Sequence, residues 1–315
     1  MIVDLANTTS PAIAKRLVKL RDEGGAVALG RVLTLVIVAA PEDIETSVEA
    51  ANAASREHPC RVLVLSAEEG DTDTRLDAQI RVGGDAGASE VVVLRAYGEL
   101  VTHIDNLVIP LLLPDTPIVA WWPRELPTSP AEKAIVDLAQ AIITDTVESA
   151  DPLGTLQKLR ENHRPQHTDL AWTRATVWRG LLAATLDQPP YESVTSAIVE
   201  GDSDHPSLDL VAAWLAQSLR CPVEIRRVEG AQAVTRVVLT RADGDIEISR
   251  PSGAVATLHQ PNQPVHTISL PVRTLRECLA EELRRLDPDE VYAEVLTKGL
   301  ARLDGWNAVS TRGNH

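Results

Sequence analysis

The chain has 315 residues, 44% of them apolar and 24% charged, and a formal net charge of −15. Those values fit a globular chain of one very large domain or two ordinary ones, and the acidic balance argues against unassisted binding to nucleic acid or an anionic membrane surface. Phe is absent and Met occurs once, while Trp occurs six times, so the core must be built from Ala, Val, Leu and Ile with Trp as its bulky filler.

Residues 1–7 have neither the basic start nor the apolar run of a signal peptide. No apolar run reaches the roughly 18 residues of a membrane span. Cys60, Cys221 and Cys278 lie far apart with no Cys-x-x-Cys, a pattern that fits a reducing cytoplasm and no intramolecular disulfide.

The first half alternates strand-like and helix-like segments. Val32 to Ala39 is a continuous β-branched run ended by Pro41 and reads as a strand buried on both faces. A helix over about 42–56 follows, then strands at 60–66, 76–82 and 91–95. A helix over about 102–112 leads past Pro114 and Pro117 to a strand at 118–122. A short strand at 141–144 and a helix over 153–161 close this half. Some of the links are of hairpin length, which excludes a wholly parallel sheet and predicts a mixed α/β sheet.

The polar, proline-bearing stretch 162–168 places a boundary there, giving an N-terminal α/β domain over 1–164 and a C-terminal α+β domain over 165–315. The second half reads helix, strand (195–199), helix (207–219), then strands at 223–228, 234–241, 245–250, 254–259 and 266–269. Asp243-Gly244 is the strongest hairpin signal in the chain, so this sheet should be largely antiparallel. Helices over 274–286 and 289–303 come last, with Pro288 fitted to the first position of the second of them.

Chemistry-bearing motifs are sparse. Gly24 to Gly30 and Gly83 to Gly87 lack both the G-x-G-x-x-G order and a P-loop Gly-Lys-Ser/Thr, and Asp85 would repel a phosphate. Both read as turns. His163 and His167 are separated by Pro165, which spoils the helical spacing that two metal ligands would need. No Gly-x-Ser-x-Gly elbow or His-Glu-x-x-His is present. No catalytic residue, cofactor site or metal site is assigned.

Two aromatic features stand out. Trp121 and Trp122 are adjacent on a strand, so they face opposite sides of the sheet at its ligand-binding end. An aromatic platform for a sugar ring or a partner is one reading. The preferred one is that a helix covers each ring on its own face. In the segment Asp169-Leu-Ala-Trp172-Thr-Arg174-Ala-Thr-Val-Trp178-Arg179, with Thr168 or Asp169 as N-cap, Leu170, Ala171, Val177, Trp178, Leu181 and Leu182 form one apolar stripe. Arg174 falls within that stripe and needs a carboxylate partner. Trp172 and Arg179 fall on the other side, where either another part of this chain or a partner protein would cover them.

That segment resembles the signature of the glucose-6-phosphate dehydrogenase assembly proteins, the OpcA family. The strand from Arg31 to Val38, the segment from Asp115 to Pro123 and the helix from Leu208 to Leu215 are similar to theirs as well, in the same order along nearly the whole chain. The resemblance implies a non-enzymatic, cytoplasmic protein that binds glucose-6-phosphate dehydrogenase, promotes its active oligomer and raises its activity in the oxidative pentose phosphate pathway. Under that reading Trp172, Arg179, Trp121 and Trp122 are the candidate partner-binding residues, and self-association is left open. The rival is an enzyme or sensor that binds a sugar phosphate or nucleotide in the first domain, with Arg81 and Arg95 contributing.

Overall fold

A run such as Leu33–Val38, six β-branched or leucine side chains with no polar alternation beyond Thr34, can only be a strand with both faces covered. A computed structural model of the chain describes residues 1–24, 32–68, 70, 73–82, 90–189, 191–251 and 253–303, and in it this run is the centre of a sheet. The turns expected at Gly24 to Gly30 and Gly83 to Gly87 lie largely outside the described residues.

The described strands of the first sheet are β1 (Ile2–Leu5), β2 (Leu33–Val38), β3 (Cys60–Glu68), β4 (Arg75–Arg81), β5 (Glu90–Tyr97), β6 (Ile118–Trp122), β7 (Ala141–Thr144) and β8 (His167–Asp169). Their order is β1-β4-β5-β3-β2-β6-β7-β8. β5, β3, β2, β6 and β7 are mutually parallel, while β4 joins β5 and β1 antiparallel. The sheet is mixed, as the short links required. Taken alone, the parallel strands run 3-2-1-4-5 in chain order, the doubly wound arrangement whose direction reverses between its first and fourth members. Here that switch point lies between β2 and β6.

One sheet face carries Val36, Leu63, Leu65, Val92, Leu94, Ala120 and Trp122. Helix α1 (Ser10–Gly24) packs there through Ile13, Leu17 and Leu20, spaced for one helical face. Helices α3 (Ile104–Val108) and α4 (Pro130–Leu138) join the same core. The alternate side chains Leu35, Ile37, Val62, Val64 and Trp121 are equally buried on the opposite face. Helix α2 (Ile44–Ala54) packs on β3, and the late helix α9 (Leu275–Arg284) packs on α2. Glu90 at the start of β5 is fully buried. It accepts two bonds from Arg21 (Nε at 2.9 Å, Nη2 at 2.8 Å) and one from Arg61 Nε at 2.8 Å. Arg61 Nη1 donates to the Leu111 carbonyl at 2.6 Å.

The second sheet contains β9 (Ser196–Asp202), β10 (Val223–Val228), β11 (Val234–Thr240), β12 (Ile246–Ser249), β13 (Val255–His259) and β14 (His266–Ser269), ordered β10-β9-β11-β12-β13-β14. Only the β9–β10 pair is parallel. Asp243-Gly244 closes the β11–β12 hairpin, with Gly244 at φ +125°, a value that an L side chain rarely adopts. Helix α8 (Pro206–Leu219) packs on β9 and β10. Helices α5 (Pro152–Glu161), α6 (Leu170–Arg174), α7 (Thr176–Leu186) and α10 (Glu290–Glu294) complete the helical complement described.

By contacts the chain divides into two compact units. The first holds Met1–Asp145, Gln166–Thr168 and Leu275–Pro288; the second holds Thr146–Pro165, Asp169–Thr274 and the residues from Asp289 onward. Several expectations change. The segment expected to be one helix from residue 170 is two, α6 and α7, joined at Ala175. Pro288 stands outside the last helix, whose N-cap is Asp289. Beyond α10 the helix loosens to a π turn over Val295–Gly299 and a 3-10 turn over Leu300–Arg302. Among the described residues, no helix is long and apolar enough to cross a membrane.

Candidate functional site

In doubly wound sheets ligands bind at the carboxyl ends of the strands beside the switch point, where a glycine turn lets a pyrophosphate reach the first helix's amides. Here β2 runs instead into Ala39-Ala40-Pro41-Glu42-Asp43 ahead of α2. Pro41 has no amide proton to offer, and Glu42 and Asp43 would repel a phosphate. Arg124, two residues beyond β6, reaches across to grip Asp43 with both arms, Nε at 2.9 Å and Nη2 at 2.8 Å. This bidentate bond holds the Asp43 carboxyl below its ordinary range. An ion pair of the chain's own side chains thus stands at this end of β2 and β6.

Trp121 and Trp122 end β6 beside this point. Their rings are 0% and 1% exposed. Trp122 joins the core with α4, and its indole donates to Glu132 Oε1 at 3.2 Å. Glu132 is itself half of a capping box with Ser129 at the start of α4. Trp121 is buried on the opposite sheet face. Neither ring forms an exposed platform, and for Trp122 the cover is a helix, α4.

The signature segment builds a second cluster, all of it within unit 2. Asp169 caps α6: its Oδ1 accepts from the Ala171 amide at 2.9 Å and from the Thr146 hydroxyl at 2.8 Å, and Oδ2 from the Thr146 amide at 3.0 Å. Trp172 is 1% exposed. Its indole donates to Asp289 Oδ2 at 2.9 Å, and its ring lies 5.8 Å from that of Tyr292. Asp289 Oδ1 meanwhile accepts from the Tyr292 amide at 2.8 Å and so caps α10. The Arg179 guanidinium sits 3.4 Å above the Trp172 ring, a cation–π contact.

The outward Trp172 is thus corrected: the other side of the helical wheel is covered by the chain's own last helix. The single-helix wheel failed because α6 is one turn long and Ala175 resets the phase. After the reset Trp178 and Leu182 are buried, while Val177, expected inside, is exposed. Arg179 is half-buried and is the one member of the four candidate residues with more than a trace of accessible surface. Arg174 has a side chain only 9% exposed and lies 4.0 Å from Glu148, the carboxylate its position called for.

Asp43, Arg124 and Asp289 were not singled out from sequence. Asp43 carried a usable signal, since Pro-Glu-Asp after a buried strand is the opposite of a phosphate turn, whereas Arg124 carried none. Among the described residues no group of three or more His, Cys, Asp or Glu is placed to hold a metal. None of the three cysteines is in a disulfide among the described residues, and burial raises the pKa of Cys221.

Comparison with known proteins agrees with the signature. Residues 51–161 match the family described as the glucose-6-phosphate dehydrogenase subunit N-terminal domain, and 165–296 its C-terminal domain. A Synechocystis protein described as the putative OxPP cycle protein OpcA is 24% identical over 200 residues, 57% of this chain. The chain spans 41% of that relative's length. Among solved structures, a 3-ketoreductase from Actinomadura kijaniata aligns with TM-score 0.49 at 10% identity, covering 89% of this chain and 97% of that one. A glucose-6-phosphate 1-dehydrogenase from Mycobacterium avium aligns with TM-score 0.43 at 11% identity, covering 84% and 90%. At such values the structural likenesses say nothing about activity. With both family domains matched in order along most of its length, the chain belongs to the OpcA family of glucose-6-phosphate dehydrogenase assembly proteins.

Proposed function

We propose that the protein is a non-enzymatic, cytoplasmic accessory subunit that binds glucose-6-phosphate dehydrogenase, assembles its active oligomer and activates it allosterically in the oxidative pentose phosphate pathway. The observation that carries this reading is the pair of family matches, over 51–161 and 165–296, both described by that dehydrogenase. The Asp43–Arg124 clasp supports the non-catalytic part, because it occupies the place where a doubly wound enzyme would receive its dinucleotide. It also weighs against the rival reading of a nucleotide or sugar-phosphate enzyme using the first unit.

Activation by a partner without chemistry of its own requires tighter binding to the dehydrogenase's active state than to its inactive one. Activation then saturates with partner concentration, and if the coupling acts on substrate affinity, substrate tightens the complex reciprocally. Of the four candidate contact residues, Arg179 is the one with accessible surface for a partner to meet. The three tryptophans, each at most 1% exposed, would act by shaping the surface above them. The test is a titration of purified dehydrogenase with this protein, read by rate and by size-exclusion chromatography. A saturable rise in rate with co-elution is expected. Neither rise nor co-elution over the full range would defeat the proposal.

A further inference from the structure

We propose that unit 1 carries a binding site for a free α-amino acid with a basic side chain, in a cavity on the outer strands of its sheet. The cavity measures about 310 Å³ and is bordered by Asp4 of β1, Asp77 and Gln79 of β4, and Val93 and Arg95 of β5. That volume is near the lower end of the range of about 300–1,000 Å³ that small-molecule pockets span. All of these residues belong to unit 1. Strand pairing sets the floor: Asp4 lies opposite Gln79, Gln79 opposite Val93 and Asp77 opposite Arg95. Opposed residues share a sheet face, while their neighbours Ala78, Ile80, Val92 and Leu94 point the other way into the core.

Asp77 and Arg95 are opposite charges on directly opposed residues, a position that puts Cβ atoms about 4.5–5.5 Å apart, yet they do not close on each other. Asp77 turns to the Asn7 amide, which donates to Oδ1 at 2.8 Å, and to Arg75, whose Nε lies 3.4 Å from Oδ2. Asn7 stands at φ +45°, in the left-handed region that Asn tolerates, and this turn aims its amide at the carboxylate. Arg95 leans to Glu68, but its Nε stays 3.8 Å from Oε1, too far for a hydrogen bond. Its side chain is 37% exposed, and among the described residues no acceptor holds its guanidinium.

An anion and a cation thus stand apart on one floor, an arrangement that a zwitterion bridges. The guanidinium fork of Arg95 suits an α-carboxylate, which it can meet with two parallel bonds. The Asp77 carboxylate, anchored by the Asn7 amide, suits the α-ammonium group beside it.

Asp4 supplies the preference for a basic side chain. A series of bonds orients it: Glu45 grips Arg81 at 2.6 and 2.8 Å, Arg81 Nε donates to Gln79 Oε1 at 2.7 Å, and Gln79 Nε2 donates to Asp4 Oδ1 at 2.7 Å. Arg81, a candidate phosphate ligand by sequence, is thereby committed to Glu45. Among the described residues Asp4 is bonded by the neutral Gln79 amide and by no cation. With two acidic side chains and one basic one on its border, the cavity repels a dianionic sugar phosphate and matches a ligand with two cationic groups and one anionic group.

The experiment titrates the full-length protein with L-lysine, read by calorimetry and thermal melting at fixed pH and ionic strength. Norleucine lacks the side-chain ammonium, 1,5-diaminopentane lacks the carboxylate, and glucose 6-phosphate tests the sugar-phosphate alternative. Saturable lysine binding that raises the melting temperature is expected. It should be at least about tenfold tighter than that of norleucine or diaminopentane, since each of these loses a charge-assisted bond. Arg95→Gln should weaken lysine at least about tenfold, because glutamine keeps a donor but not the charge. Asp4→Asn should bring lysine down to the affinity of norleucine. Both side chains reach solvent, so both variants should fold. No saturable lysine binding, unchanged affinity in Arg95→Gln, norleucine or diaminopentane binding as tightly as lysine, or displacement of lysine by glucose 6-phosphate would each overturn the proposal. None of these outcomes bears on dehydrogenase binding, so this inference and the proposed function fail separately.

Discussion

Glu90 gives the sharpest test of how unit 1 holds together. Replacing it with Ala removes a fully buried carboxylate that bonds two arginines. Arg61, whose side chain is 8% exposed, would be left as a buried cation with only the Leu111 carbonyl from this set of bonds. Breaking a buried pair by removing one partner costs about 3–5 kcal/mol. Arg21, whose side chain is 32% exposed, can turn to water, so its share is screened to about 1 kcal/mol or less. The loss should therefore come to about 3–4 kcal/mol, dominated by Arg61. Glu90→Ala, Arg61→Met and the double variant should be compared by urea unfolding, with the first transition fitted separately because two units need not melt together. The double variant should recover much of the loss, since an apolar side chain of similar length can fill the space that the stranded cation cannot. A loss under about 1 kcal/mol in Glu90→Ala, or strictly additive losses in the double variant, would refute the reasoning.

Acid should weaken unit 2 before the ordinary carboxylates titrate. The His205 imidazole titrates near 6.5 when unfolded and at about 4 in the fold, a gap worth about 3 kcal/mol. The contribution is complete above pH 6.5 and is lost progressively as pH falls toward 4; a flat stability over that window, or an identical slope in His205→Gln, would contradict it. Trp172→Phe keeps most of the ring but loses the donor to Asp289, and should cost about 1–3 kcal/mol by chemical unfolding. Tyr292 should then show raised amide exchange, since Asp289 is also its cap; unchanged exchange would separate the two bonds.

What could be read from residues alone follows the range over which each feature is determined. Ile118–Trp122 and Ala141–Thr144 form strands with the bounds the sequence suggests, because apolar runs closed by proline or polar residues specify themselves locally. The capping box Ser129-Pro130-Ala131-Glu132 is an equally local signal for α4, and the spacing of Ile13, Leu17 and Leu20 is one for α1, although neither helix was assigned from sequence. β1 is four half-exposed or exposed residues at the edge of the sheet, too short for a periodic signal. Trp172 is a different case. What buries it lies 117 residues on, at Asp289, and no window around residue 172 contains that information. The strand order around β2 is likewise fixed by pairing between distant segments, so the Asp43–Arg124 pair became visible only once β2 and β6 were known neighbours.

The return of Leu275–Pro288 to unit 1 has a consequence for how the protein is made. A ribosome releases the chain from its N-terminus at about 5–20 residues per second, and domains ordinarily fold as they emerge. Unit 1 cannot do so completely, because α9, which packs on α2, is translated only after the sheet of unit 2. For the time needed to make more than a hundred residues of unit 2, α2 waits without the helix that packs on it. The nascent chain thus presents an unfinished packing surface of the kind that chaperones bind. A nonsense codon shortly before residue 275 would release a product with that surface permanently open, prone to aggregate even though every described strand of its first sheet had been synthesised.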